Sequence, residues 1–359
     1  METNLLSRRS LLLALPALRL AAQNQTTFST DVKVVNVFAT VRDKKGQIIN
    51  NLNQEDFSLT EDGRPQTIRY FSRETDLPLT LGLLVDTSGS ERRVIGEERD
   101  ASHRFLDDVL RPDKDQAFVL HFDRQVELLQ DLTNSLDKLH KACELLEVNT
   151  GSGDGRGGYP SGGGGGNGYP GGGRRGGYGR RGGTDLYDAV YLAANEIMSK
   201  QKGRKAVVML SDGRDTGSKE TIGQAIESAQ RADMIVYTIY YADEEGYPAG
   251  GPGYGGFGRR RGGLGAPMPR YPQSSQVDGK KILEQLSRET GGGFFEVSKK
   301  ETVDKTFRHI QEELRSQYSL GYTSDQPTGS GYRKIAVTVK QKGLVVQARD
   351  GYYAEQKAS

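Results

Sequence analysis

The sequence predicts an α/β fold: a doubly wound, mostly parallel sheet beside a small β-sandwich built from both ends of the chain. Two observations predict the sheet. Leu79–Val85, Ala206–Leu210 and Met234–Tyr240 are near-continuous apolar runs, the pattern of strands buried on both faces. Segments with helical apolar spacing separate the strand-like runs, and such alternation marks a parallel sheet covered by helices. The third observation concerns the ends, which read as short strands joined by tight turns.

The N-terminal β segment covers residues 31–76. Val35, Val37, Ala39 and Val41 alternate with a second face that includes Asn36, Thr40 and Arg42. Phe57–Leu59 and Thr67–Phe71 follow, joined through a hairpin turn at Glu61-Asp62-Gly63. The C-terminal β segment, 318–354, offers Tyr318–Tyr322, Lys334–Val339 and Leu344–Arg349. Neither end has enough strands to cover its own edges, so the two are expected to pair into one sandwich; two separate small sheets are the alternative.

Residues 78–317 carry the alternating pattern. The strand at Leu79 is followed by a helix from about Glu91 to Leu110, a strand at Ala117–Phe122, and Val126–Leu129 as an antiparallel edge. Helices are then expected at Leu136–Leu146, from Thr184 through Ala189, Leu192 and Ile197, at Lys219–Ala232, Gly279–Thr290 and Val303–Gln317. A last short strand falls at Gly293–Val297.

Two insertions break the rhythm. Residues 150–183 and 245–272 are rich in glycine, with interspersed tyrosines and the clusters Arg174-Arg175, Arg180-Arg181 and Arg259-Arg260-Arg261. Such sequence buries too little apolar surface to offset its ordering entropy, so both read as flexible cationic loops. Their positions place them on one face, around the carboxyl ends of the strands.

The chain of 359 residues has net charge +2, which does not point to a nucleic-acid or membrane-surface protein as a whole. Its single cysteine, Cys143, allows no internal disulfide and reads as a buried thiol. The four histidines have no zinc-type spacing. Residues 1–23 form a charged head (Arg8-Arg9), a short apolar run and small residues near Ala21-Ala22. The pattern reads as an export signal of twin-arginine character, too short to span a bilayer, and implies a periplasmic or secreted protein; with Arg19 inside the apolar run, a disordered tail that only resembles a signal is the alternative.

The motif that carries chemistry is Asp86-Thr87-Ser88-Gly89-Ser90, directly after the first central strand. It sets a carboxylate and two hydroxyls at the carboxyl end of a parallel strand, where open α/β sheets bind ligands. These are hard oxygen donors, suited to Mg²⁺, Mn²⁺ or Ca²⁺. Thr184 opens a helix, and Ser211-Asp212-Gly213 again ends a buried strand with an aspartate.

In these segments the chain resembles the von Willebrand factor A (VWA) family. The resemblance covers residues 78–317 and implies a metal-ion-dependent adhesion site formed by Asp86, Ser88, Ser90, Thr184 and Asp212. In that family the serines and either the threonine or the second aspartate contact the ion, and a carboxylate from a protein partner completes its shell. The resemblance therefore implies a non-enzymatic, cation-dependent adhesion or assembly module, Mg²⁺ being the first choice of ion and an Asp- or Glu-presenting protein the partner. Two other readings stay open: the Arg/Gly/Tyr-rich loops bind nucleic acid or another polyanion, or the metal activates water in a hydrolase. The second lacks a visible general base or nucleophile.

Overall fold

The computed structural model describes residues 34–74, 77–147, 183–241, 278–326 and 331–354. The export signal, residues 150–182 of the first insertion and the whole of the second lie outside the described residues. The described residues belong to one compact unit.

In chain order the strands and helices are β1 (Val34–Arg42), β2 (Phe57–Glu61), β3 (Arg64–Gln66), β4 (Ile68–Glu74), β5 (Leu79–Asp86), α1 (Ile95–Val109), β6 (Gln116–Phe122), β7 (Val126–Thr133) and α2 (Leu136–Glu144). Then come α3 (Leu186–Leu192), β8 (Arg204–Ser211), α4 (Ile222–Arg231), β9 (Met234–Tyr241), α5 (Gly279–Thr290), β10 (Phe294–Val297) and α6 (Val303–Arg315). The chain closes with β11 (Gln317–Thr323), β12 (Gly331–Val339), β13 (Val345–Ala348) and β14 (Gly351–Ala354).

The central sheet has the order β10-β9-β8-β5-β6-β7. All its pairs are parallel except β6–β7, so the edge strand expected at Val126 is antiparallel. Every residue of β5 and β8 is buried, as expected of their near-continuous apolar runs. Leu81, Leu83 and Val85 pack under α1, α2 and α6; Leu84 and the neighbouring Phe118 and Met209 pack under α3, α4 and α5. Gly82 lies among these core residues because a Cβ there would run into the Phe118 ring. Cys143 is buried under α2, and burial pushes its thiol up to about 12, so it is chemically quiet.

Both ends of the chain build the flanking β layers. One sheet has the order β13-β1-β11-β4 and the other β14-β12-β2-β3, so each mixes N- and C-terminal strands. Their shared core contains Val35, Val37, Ala39, Val41, Leu59, Tyr318, Leu320, Tyr322 and Ile335. The Asp62-Gly63 turn has positive φ at both residues (49° and 79°), the conformation a two-residue hairpin needs.

The structure corrects one expectation here. The strand after that hairpin is split: β3 pairs with β2, whereas β4 crosses to the other sheet and pairs with β11. Pro65 cannot donate a ladder bond, and it sits in β3, an edge strand of its sheet. On the second face of β1 Asn36 is exposed, but Thr40 is buried, Phe38 packs on the central core, and Arg42 pairs with Glu313 of α6.

Helix boundaries shift modestly. A 3₁₀ turn, Gly89–Arg93, precedes α1, and the segment after β8 becomes helical only at Ile222, where Thr221 and Gln224 form a capping box. The helix near Thr184 starts at Leu186 with Asp185 in the N-cap position.

Candidate metal centre

Strand order reverses at β5: the chain goes to β6 on one side and returns to β8 on the other. Asp86 ends β5 and Asp212 follows β8, so both stand at the switch point where open α/β sheets hold ligands. The geometry that brings them together is local. Asp86 is fully buried; its Oδ1 accepts from the Ser88 backbone N–H at 2.9 Å and its Oδ2 from Ser211 Oγ at 2.7 Å. Ser88 Oγ and Ser90 Oγ lie 2.9 Å apart. Gly213, with φ +74°, turns the chain against Gly279, and its N–H donates to Ser211 Oγ at 3.0 Å. No side chain with a Cβ fits that approach.

Thr184 is buried one residue before the N-cap of α3. Its carbonyl accepts from the N–H groups of Thr216 and Gly217, and the neighbouring Asp185 N–H donates to the Asp123 carbonyl at 2.7 Å. Thr184 is therefore fastened between the loop after β8 and the end of β6. Asp86, Ser88 and Ser90 are joined by hydrogen bonds, and Asp212 comes near Asp86; Thr184 is hydrogen-bonded to Thr216 and Gly217 of the loop that begins at Asp212.

A third acid completes the cluster. Asp86, Glu91 and Asp212 each offer an oxygen within 4.8 Å of the others, and all three are buried. The sequence reading took Glu91 only as the start of a helix. Glu98 was also missed: it is fully buried in α1, and neither carboxyl oxygen has a hydrogen-bond partner among the described residues. Its spacing to Ala101, Ser102 and Phe105 marks the inward helix face, a signal the sequence does carry.

Burial, only partly offset by the bonds from Ser88 and Ser211, lifts the Asp86 carboxyl to about 6, with Asp212 adding to the rise. Burial, then Asp86 and Glu97, hold Glu98 well above the usual carboxylate range. The Tyr241 hydroxyl is pushed up by burial and by nearby acids, Glu98 first, and it too has no hydrogen-bond partner among the described residues. Asp212 Oδ2 is buried, accepts no hydrogen bond from a described residue, and is ion-paired with Arg214 Nε at 3.7 Å. Such a set of crowded hard-oxygen donors fits a divalent cation of the Mg²⁺, Mn²⁺ or Ca²⁺ class. Ser90, Glu91 and Asp212 also line a cleft of about 360 Å³ with Arg93, Tyr241 and Lys299, so the cluster opens to the outside.

The other acids near Thr184 have structural work. Asp215 Oδ1 accepts from the N–H groups of Leu186 and Tyr187, capping α3, while Asp188 accepts from Lys219 and Glu220. A hydroxyl–imidazole–carboxylate chain exists beside the site: Thr87 Oγ1 lies 3.0 Å from His121 Nδ1, and His121 Nε2 lies 3.3 Å from Glu127. Thr87 is fully buried, which closes it to a substrate.

The strand order and the aspartates that end β5 and follow β8 define a doubly wound α/β domain, flanked by a composite β-sandwich. No family model matches the chain, and no curated protein matches it. Among solved structures it is similar to BatB from Bacteroides thetaiotaomicron (14% identity, TM-score 0.43, 66% of this chain and 97% of that one). It is also similar to a von Willebrand factor type A protein from Catenulispora acidiphila (11% identity, TM-score 0.44, 85% and 74%). A third is proximal thread matrix protein 1 from the mussel byssus, with a zinc-occupied metal-ion-dependent adhesion site (13% identity, TM-score 0.42, 71% and 50%).

Proposed function

We propose that this chain is a divalent-cation-dependent protein-binding module, working in adhesion or assembly outside the cytoplasm rather than in catalysis. Asp86, Ser88, Ser90, Thr184 and Asp212 would hold the ion, with Mg²⁺ as the first choice. A partner would present an Asp or Glu side chain through the cleft beside Ser90 and Asp212. The observation that carries this reading is the set of three buried acids gathered at the switch point beside a cleft that Ser90, Glu91 and Asp212 line. A bound cation supplies positive charge there and attracts an external carboxylate; the protein's residues orient it and exclude water. The apolar first segment of the sequence, read as an export signal, supports the location. No helix among the described residues is long and apolar enough to cross a membrane.

The test is a calorimetric titration of Mg²⁺ and Mn²⁺ into the wild type and Asp86→Ala. The wild type should bind one ion, and the folded variant should show no binding. Equal binding by both would remove Asp86, and with it this site, from the reading.

A further inference from the structure

Thr87 stands between Asp86 and Ser88, and the reading above gives it no contact with the ion. It is fully buried, and its hydroxyl lies 3.0 Å from Nδ1 of His121, near the end of β6. Its backbone N–H donates to the Phe122 carbonyl at 2.9 Å. Beyond that bond the loop leaves the sheet: the N–H of Ser88 turns to Asp86 Oδ1, and a 3₁₀ turn begins at Gly89. Thr87 therefore ties the loop to β6 at two points, one on the backbone and one on the side chain. Threonine is branched at Cβ and stiff about χ1, so a hydrogen bond at Oγ1 restrains the backbone that carries Ser88 and Ser90.

The far end of this chain of bonds decides which nitrogen of His121 does the holding. Glu127 stands opposite His121 across the β6–β7 pair, and its carboxylate lies 3.3 Å from His121 Nε2. A carboxylate only accepts, so Nε2 carries the proton and Nδ1 of the neutral ring offers its lone pair to the Thr87 hydroxyl. In the other tautomer Thr87 could not donate to Nδ1, and Nε2 would set a lone pair against the carboxylate. The Glu127 side chain is exposed and lines, with His121, an open cleft of about 820 Å³, so it has no part in core packing. The turn between β6 and β7 also holds the other half of the ligand set, because the Asp123 carbonyl accepts from the Asp185 N–H beside Thr184 at 2.7 Å.

Resting on the cation-site reading above, we propose that His121 is a positioning residue of the ion site. Its Nδ1 pins Thr87, and through it Ser88 and Ser90, while Glu127 fixes the tautomer that makes this possible. The two serine hydroxyls are then held in place before the ion arrives, and binding does not have to order them.

The experiment uses the full chain, with Mn²⁺ affinity read by calorimetry and metal-free stability read by urea midpoints in chelator. Thr87→Val keeps the shape and removes the hydroxyl; His121→Leu keeps apolar bulk and removes the acceptor. Each should weaken Mn²⁺ binding by about tenfold, and the double variant no further, because both remove the same bond. His121→Asn sets an amide oxygen in place of Nδ1 and should recover most of the affinity. Glu127→Ala should weaken Mn²⁺ binding without moving the chelator midpoint, since this side chain is exposed. Glu127→Gln keeps an acceptor for Nε2 and should behave as the wild type. A purely structural His121 would instead lower the midpoint and leave Mn²⁺ affinity unchanged in the folded protein. Wild-type affinity in both His121→Leu and Glu127→Ala, or losses that add in the double variant, would overturn the proposal. Should His121→Leu fold poorly, the two Glu127 variants carry the same test at an exposed position. Asp86→Ala keeps the two claims apart. Loss of Mn²⁺ there with wild-type affinity in the His121 and Glu127 variants removes only the positioning role, whereas unchanged binding in Asp86→Ala removes the site itself.

Discussion

Asp86 and Glu61 are both buried carboxylates, and their surroundings are opposite. Glu61 lies in the sandwich, at the end of β2, and accepts from Tyr322 at 2.6 Å, Ser324 at 2.6 Å, Arg333 at 2.6 Å and Tyr352 at 3.1 Å. Burial alone would raise its pKa; the bonds from Ser324, Tyr322, Arg333 and Tyr352 overcome that and hold it below the usual value. Asp86 is bonded by Ser88, through its N–H and its hydroxyl, and by the Ser211 hydroxyl, yet burial prevails, and Glu98 beside it has no hydrogen-bond partner among the described residues. One carboxylate is finished by the protein. The other is left for something to be added. A buried acid is therefore informative about ligands only after its partners have been counted.

The largest effect expected from this contrast is at Glu61. Glu61→Gln removes the charge that compensates buried Arg333 and disturbs an acceptor shared by two tyrosines and a serine. Breaking a buried pair from one side costs about 3–5 kcal/mol, read as a lower urea midpoint with the slope unchanged. A loss under about 1 kcal/mol would place the pair in the class of solvated surface bridges and erase the comparison.

Asp86→Asn should act with the opposite sign. The variant keeps the shape but removes a charge whose ionisation the fold opposes. In chelator at pH 7 it should be more stable than the wild type by about 1–3 kcal/mol, the range implied by a carboxyl lifted from 3.8 to about 6. It should also lose the rise in melting temperature that Mg²⁺ gives the wild type. Destabilisation in chelator would mean that Asp86 supports the loop more than its burial costs.

The sequence made the architecture legible where one physical pattern ruled. The near-continuous apolar runs of β5 and β8 read as central strands, and the inward alternation of Val35, Val37, Ala39 and Val41 anticipated the sandwich core. It was silent where a residue answers to two environments. Thr40 and Arg42 stand on the face of β1 that meets the central domain, a tertiary fact with no local trace. The same limit applies to chemistry. Asp86, Ser88 and Ser90 were proposed from spacing, while Glu91 becomes part of the acidic cluster only because a short 3₁₀ turn follows the loop at the strand end. Glu61 gave no hint at all, since its four donors come from residues more than 260 positions away.

The smallest effect is the most diagnostic, because pH moves the two carboxylates in opposite directions. Asp86 has a folded pKa above its unfolded value, so the native state binds its proton first as the solution is acidified. Its contribution is complete below 3.8 and is lost as pH rises through about 6. Cation-free protein should therefore gain about 1 kcal/mol between pH 7 and pH 5, with Asp185 and Asp215, also raised chiefly by burial, adding in the same sense. Glu61 has a folded pKa below its unfolded 4.5; its contribution is present above that value and is lost as pH falls through the folded one. Stability in chelator should thus rise as pH falls from 7 to 4.5 and turn over only below 4.5, where Glu61 begins to lose its contribution. Asp86→Asn should flatten the limb above the peak, and Glu61→Gln the limb below it. Saturating Mg²⁺ should reverse the upper limb alone, because the ion competes with the Asp86 proton and binds more tightly as pH rises. Urea midpoints measured from pH 4 to 8 resolve all four curves, and a wild-type upper limb identical to that of Asp86→Asn would show that Asp86 is ionised without cost and needs no ion beside it.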